Sequence, residues 1–398
     1  MSKTRFALFL LLTSAWLGAT GHRALAAQLV PLGPEDELYV DAFSHPPALA
    51  AQPDGSYVVA WDDDSFSQIY GILPYLYVPA GEGPEVENYG SLQSPTGTPG
   101  VDAVTAGRQG FDVLWHTVSY QHEPTLFYRA HLDLRGMPEG QPVRLGGNGT
   151  EWVWQVKGNG FMAGWSLPSK HGIAARRLTT AGQRMGPELR LNSRLIDHPA
   201  GVSVMGLADA SFVALWLGVT PGSTGTAVLR ARRFSPSGKP LGPDFDVNTT
   251  PLGGFTTSSS CPTFKAAAAP GGGFAVAWLD HRTIFLRWFN AAGTPQGPGV
   301  AAITSAGFDE GGCPLSMAFA DTGDLLLLWN LGYEALQVRL FDPQGTPVGP
   351  AVDVNDDDTI RPWGGSLAWT GDSWVTAWVA AIFPYDQSSI YVRRFAKR

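Results

Sequence analysis

The sequence predicts an all-β fold: seven units of four short antiparallel strands, joined into one closed ring. Three observations lead there. A phrase ending in Trp recurs seven times along the 398-residue chain, a second hairpin phrase follows it, and the piece missing from the last unit stands at the N-terminus. Composition agrees. With 44% apolar residues, 48 Gly, 31 Pro and 14 Trp, but only 16% charged residues, the chain is rich in turns and core. It is poor in the material of long helices or disordered segments.

The first phrase reads small apolar strand, Gly-containing turn, apolar strand, Trp. Residues 47–61 (PALAAQPDGSYVVAW), 202–216 (VSVMGLADASFVALW), 264–278 (FKAAAAPGGGFAVAW) and 315–329 (LSMAFADTGDLLLLW) show it well. The seven copies end at Trp61, Trp115, Trp165, Trp216, Trp278, Trp329 and Trp378, with spacings of 54, 50, 51, 62, 51 and 49 residues. Alternation such as Val58/Ala60 against Val59/Trp61 fits strands buried between neighbouring sheets. Asp54-Gly55 and Pro270-Gly271-Gly272-Gly273 supply the hairpin chemistry. The second phrase is seen in 173–192 (IAARRLTTAGQRMGPELRLN), 229–248 (LRARRFSPSGKPLGPDFDVN) and 336–355 (LQVRLFDPQGTPVGPAVDVN). Two hairpins per period of this size are the pattern of a β-propeller blade. A single blade cannot bury both faces, so the repeated Trp is expected to pack between blades.

The last copy stops after its third strand, at IYVRRFAKR, without the PLGP phrase that opens the fourth. That phrase appears at Pro31-Leu32-Gly33-Pro34. The N-terminal strand is therefore expected to complete the seventh blade, closing the ring and removing a sheet edge. An open array would instead need capping units.

On the Trp-ended strand and the RRF…PLG hairpin, nearly the whole chain after residue 27 resembles the seven-bladed propeller repeat proteins exported by bacteria. The resemblance implies extracellular binding or, less often, hydrolase or lyase action on polymers. It carries no catalytic motif onto particular residues, since propellers host many functions. Blades 1 and 2 depart from the pattern, blade 1 having GILPYLYVPAGEGP in place of RRF…G.

Residues 1–27 read as a signal peptide: Lys3 and Arg5, an apolar core from Phe6 to Leu17, and Ala24-Leu25-Ala26 as the cleavage site. Residues 28–398 then form a single propeller domain, secreted or periplasmic, with no membrane span and expected to be a monomer. Loss of Lys3, Arg5 and Arg23 leaves 24 basic residues against 35 acidic. Such a balance offers no electrostatic footprint for nucleic acid or anionic lipid.

The turns inside each hairpin are short and repetitive, whereas the loops between second and third strands, and the crossovers between blades, vary. That variable face is the candidate functional face. It carries His45, His116, His198, the triplet Asp280-His281-Arg282, Arg361, Tyr333 and Tyr385. The inner strand of most blades begins at an X-Pro step, among them His45-Pro46, Thr98-Pro99, His198-Pro199, Cys261-Pro262, Cys313-Pro314 and Arg361-Pro362. By repeat symmetry these X residues ring the channel mouth. The acidic runs 62–64 and 356–358, with Asp62, Asp64, Asp356 and Asp358, offer oxygen ligands for calcium but lack the spacing of a calcium loop. No other cofactor is expected.

Searches for a nucleophile elbow, HExxH, a P-loop or a dinucleotide fingerprint are empty. The first reading is thus a secreted, non-enzymatic protein that binds a carbohydrate or an extracellular protein, with rim aromatics such as Tyr333 and Tyr385 stacking on sugar rings. The alternatives are a polysaccharide-cleaving enzyme at the channel mouth, with His45 or His198 as base, a Tyr as acid and Arg361 on a uronate, and a structural propeller without a small ligand.

Cys261 and Cys313 stand at equivalent positions of adjacent blades, 52 residues apart, in a chain expected to meet an oxidising compartment. They are expected to form a disulfide, worth roughly 4 kcal/mol for a loop of that length. Thiol titration of the unfolded, unreduced chain should find no free thiol; two would refute the bridge.

Overall fold

The structure is a computed structural model. It describes residues 27–40, 46–63, 71–80, 83–88, 92–93, 98–118, 125–147, 149–156, 160–221, 227–250, 252, 264–305, 315–332, 335–356, 360–382 and 387–398. Seven antiparallel sheets follow one another along the chain. Blade 1 runs Ala48–Ala51, Tyr57–Asp63, Gly71–Ala80, Gly83–Asn88, with Leu92–Gln93 also on its third strand. Blade 2 runs Thr98–Gly107, Gly110–Val118, Leu126–Leu132, Val143–Gly146, and blade 3 runs Trp152–Val156, Gly160–Leu167, Gly172–Leu178, Arg184–Arg190. Blade 4 comprises Asp197–Gly206, Phe212–Val219, Ala227–Phe234, Phe245–Asp246, and blade 5 Phe264–Ala268, Phe274–Asp280, Thr283–Phe289, Val300–Thr304. Blade 6 comprises Ser316–Phe319, Leu325–Leu331, Ala335–Phe341, Pro347–Asp353.

Blade 7 has Ile360–Trp369, Trp374–Ile382 and Gln387–Lys397 from the C-terminal end, and the N-terminal segment completes it. That fourth strand comes in two pieces, Leu29–Pro31 and Asp36–Val40, because the Gly33-Pro34 step interrupts the ladder. Leu29 faces Lys397, and Gln28 and Arg398 exchange backbone hydrogen bonds of 2.7 and 2.9 Å.

Seven apolar clusters fill the seams between consecutive blades, one for each seam. Each repeated Trp belongs to the second strand, which continues past it rather than ending there. Six of the seven Trp are at most 4% exposed and sit in the cluster shared with the preceding blade. Several stack on the third strand of their own blade: Trp115 on Tyr128, Trp278 on Phe285 and Trp378 on Tyr391, with centroids 5.6–5.7 Å apart. Trp165 departs from the expectation, being only partly buried and outside its seam's cluster.

Two polar residues of the second phrase also have a structural role. The Asn closing "VN" or "LN" caps the third strand: Asn192, Asn248 and Asn355 accept the backbone N–H of Ile173, Leu229 and Leu336 at 2.9, 2.8 and 3.0 Å. The Arg two residues before the Phe near the end of the third strand is an inter-blade clamp. Arg287 donates from Nε to the Gly297 carbonyl of its own blade at 2.9 Å and from a terminal nitrogen to Val247 of the preceding blade at 2.7 Å. Arg339 does the same to Gly349 and Ala302, Arg393 to Gly33 and Val354, and Arg232 to Gly242 and Leu191. Each guanidinium also lies 5.5–6.0 Å from the ring of the Phe that follows it. Blades 1 and 2 carry Tyr75 and Ala130 at this position, and in blade 3 the residue is Arg176.

Hydrogen bonds from a charged group contribute about 1.5–3 kcal/mol each. Arg339→Met should therefore lower the unfolding free energy by about 2–3 kcal/mol in urea melts, whereas Arg176→Met should change it by less than about 1 kcal/mol, since Arg176 makes neither bond.

Candidate functional site

The rim singled out by the sequence is built from the ends of second strands and the beginnings of inner strands. His116, on the second strand of blade 2, lies opposite Gly100 of the inner strand. A side chain at residue 100 would have its Cβ 3.0 Å from the imidazole, so the glycine makes room for the ring. His116 Nδ1 is 2.8 Å from Asp102 Oδ1, and both side chains are about one-third exposed, at 27% and 32%. Asp102 stands at a bulge between Val101 and Ala103, which breaks the ladder's register there.

A second His–Asp pair ties blade 3 to blade 4. A short 3₁₀ turn, Pro168–Lys170, ends at His171 in the left-handed conformation, with φ of 46°. His171 Nδ1 hydrogen-bonds Asp197, the first residue of the next inner strand, and its carbonyl accepts from Ile196 N–H at 3.0 Å. His281 occupies the corresponding turn of blade 5, again left-handed at 50°, flanked by Asp280 and Arg282. Among the described residues, the rim turns of blades 3 and 5 thus each hold a non-glycine residue at a strained position.

Arg361 is exposed on the inner strand of blade 7, facing Ala381, and His198 lies on the inner strand of blade 4. Among the described residues, the pairs His116–Asp102 and His171–Asp197 are brought together by side-chain bonds. His45, Tyr333, Tyr385, Asp64 and Asp358 lie outside the described residues, as do Cys261 and Cys313. Asp62 is buried, at 1% exposure. Asp356 accepts from the clamp residue Arg393 at 2.8 Å, so its carboxylate has a structural partner. Among the described residues no three His, Cys, Asp or Glu side chains are grouped to hold a metal.

Three features escape the sequence reading. One is Lys265, on the inner strand of blade 5. Solvent reaches it, yet protein surrounds it because the inner strands crowd the axis, and this desolvation lowers its ammonium from the usual lysine value. Another is a polar knot between blades 2 and 3. Asp112 accepts from Arg129 Nε at 2.8 Å and from Gln155 across the seam at 2.8 Å, and lies 3.0 Å from His131 Nδ1. The third is a set of cavities at the outer seams. The one between blades 2 and 3, about 560 Å³, is lined by Arg144, Arg176, Arg184, Glu188, Thr150 and Trp165 among others. Those at the seams between blades 3 and 4, and 5 and 6, measure about 530 and 340 Å³. No periodicity marks these places, because each is made by residues of two blades.

No protein-family model and no curated protein matches the chain. Its shape is similar to that of a Dyadobacter fermentans protein of unknown function, at 10% identity and a TM-score of 0.48, over 93% of this chain and all of that one. It is also similar to the β-propeller domain of the Trilobed protease from Pyrococcus furiosus, at 7% identity and a TM-score of 0.49, covering 88% and 95% of the two chains. A third is puromycin hydrolase, at 15% identity and a TM-score of 0.44, covering 89% of this chain and 54% of that one. At these identities the likeness concerns shape alone and says nothing of activity.

A lysine with a lowered pKa keeps a larger neutral fraction at mild pH. Brief acylation with an N-hydroxysuccinimide ester at pH 8, followed by peptide mass spectrometry, should therefore label Lys265 ahead of Lys170 and Lys239; equal or slower labelling contradicts the desolvated axis.

Proposed function

We propose that this chain is an exported binding protein that holds a carbohydrate or another extracellular protein on the variable face. The observation that carries the reading is the contrast between the two ends of the ring. At one end the hairpin turns repeat the same tight geometry, with Gly55, Gly272, Gly323 and Gly371 all at φ of 86–96°. At the other, side chains of different chemistry are displayed: imidazoles oriented by Asp102 and Asp197, His281 on a left-handed backbone, and an exposed Arg361. Preoriented donors and acceptors on a rigid frame favour recognition, since little side-chain freedom is lost on binding. Arg361 and His281 are assigned to ligand contact, and His116 and His171 to holding the rim's shape.

A second reading rests on His116. An imidazole whose Nδ1 is held by a carboxylate is suited to act as a general base, and a polysaccharide-cleaving enzyme would use it so.

A glycan array probed with the full exported chain, together with an assay for released reducing or unsaturated ends, separates the two. Binding without release is expected, weakened at least tenfold by Arg361→Ala with His281→Ala while the melting temperature holds. Release that disappears in His116→Ala would move the chain to the enzymatic reading. Absence of glycan binding together with a stable co-purifying protein would make the ligand a protein.

A further inference from the structure

We propose that the outer seam between blades 2 and 3 is a binding site for an acidic sugar, a pyranose ring bearing a carboxylate or a sulfate ester. The site goes beyond the rim reading and stands on different residues.

This seam is the exception in the ring in its apolar fill and in its repeated Trp. Among the described residues its cluster holds five buried apolar residues, against ten to fifteen at the other six. Inner strands of consecutive blades pack closely elsewhere; here, among the described residues, Thr105 and Gln155 join them through a side-chain hydrogen bond. Trp165 is the one repeated Trp left partly exposed, and it lines the cavity.

The arginine clamp is open here as well. Arg176 occupies the position of Arg232, Arg287, Arg339 and Arg393, but its Nε is buried without a hydrogen-bond partner. A buried guanidinium N–H left unpaired costs free energy unless something outside the chain accepts from it. Arg144 and Arg184 line the same cavity, with Glu188 as the one carboxylate among its lining residues. Of the three, Arg144 has a partner, the Gly146 carbonyl at 3.3 Å, while among the described residues no carboxylate forms an ion pair with Arg176 or Arg184. Three guanidiniums in one cavity repel one another in the absence of an anion. Their concentration also runs against the chain's net charge of −8.

Guanidinium forks recognise carboxylate and sulfate oxygens through paired hydrogen bonds. The indole beside them offers an apolar face of the kind on which the C–H face of a pyranose stacks. An inorganic anion would use the arginines alone; an acidic sugar uses both. A volume of about 560 Å³ admits one or two sugar rings rather than a folded partner.

Calorimetric titration of the full exported chain tests the site with four probes: tetragalacturonate, a chondroitin sulfate tetrasaccharide, neutral cellotetraose and inorganic sulfate. At least one acidic oligosaccharide should bind, and cellotetraose should not; which acidic probe binds more tightly distinguishes carboxylate from sulfate recognition. Arg176→Gln with Arg184→Gln should weaken that binding at least tenfold. Arg184→Gln alone, at an exposed position that leaves folding intact, should weaken it about threefold or more. Trp165→Leu should weaken the oligosaccharide several-fold while leaving inorganic sulfate unchanged. The site is refuted if neither acidic probe binds, if cellotetraose binds as tightly, or if the arginine variants bind like the parent at an unchanged melting temperature. Because only seam residues are altered, that failure leaves the rim reading standing.

Discussion

A four-stranded sheet with two apolar faces has no stable existence alone, and this chain answers that constraint with a ring in which every sheet is buried by its neighbours. The seam is thus the unit of stability. Second strands such as Phe212–Val219 and Leu325–Leu331 are buried almost from end to end because they are covered on both sides. In six of the seven repeats the Trp reaches toward the preceding blade, and truncating such a buried ring costs about 3–5 kcal/mol. A guanidinium spanning two outer strands then fixes the distance between blades where the wedge is widest and apolar contact is thinnest.

That division of labour explains which sequence features recur. Tight turns need the left-handed conformation, so Gly272 and Gly323 return at the same place. The Asn just past the fourth strand returns because it accepts a backbone N–H near the start of the third strand. The N-terminal segment follows the same logic. It supplies blade 7 with an outer strand, and Gly33 supplies the carbonyl that Arg393 needs. Ring closure is therefore a sheet ladder and a clamp together, and the clamp is the one that also holds blades 4, 5 and 6 to the blades before them.

Variation is confined to places this scheme leaves free. On the rim, polar side chains are ordered by their neighbours, as His171 is by Asp197, so chemistry can change there without disturbing the seams. The seam between blades 2 and 3 is different in kind: there the scheme itself is relaxed. Apolar fill is replaced by the Asp112 knot, the clamp is left open, and cationic side chains gather where the four clamped seams close on backbone carbonyls. Such a place is energetically costly to the ring, which is why a ligand that satisfies it would also stabilise it.

The sequence alone determined the period, the number of blades, the strand order within each and the meeting of the two ends, because all of these follow from local alternation, turn residues and repeat count. It also placed His116, Asp280, His281, Arg282 and Arg361 on one rim, since loop position follows from strand order. Tertiary structure decided what the repeat pattern conceals. Arg176 and Arg232 stand in nearly the same phrase, yet one is clamped and the other is not, and Trp165 reads like the other six. Whether an arginine finds a carbonyl, or a tryptophan a covered face, depends on the neighbouring blade, some fifty residues away in a separately varying repeat. The desolvation of Lys265 has the same origin, for it is set by the inner strands that converge around it rather than by its own.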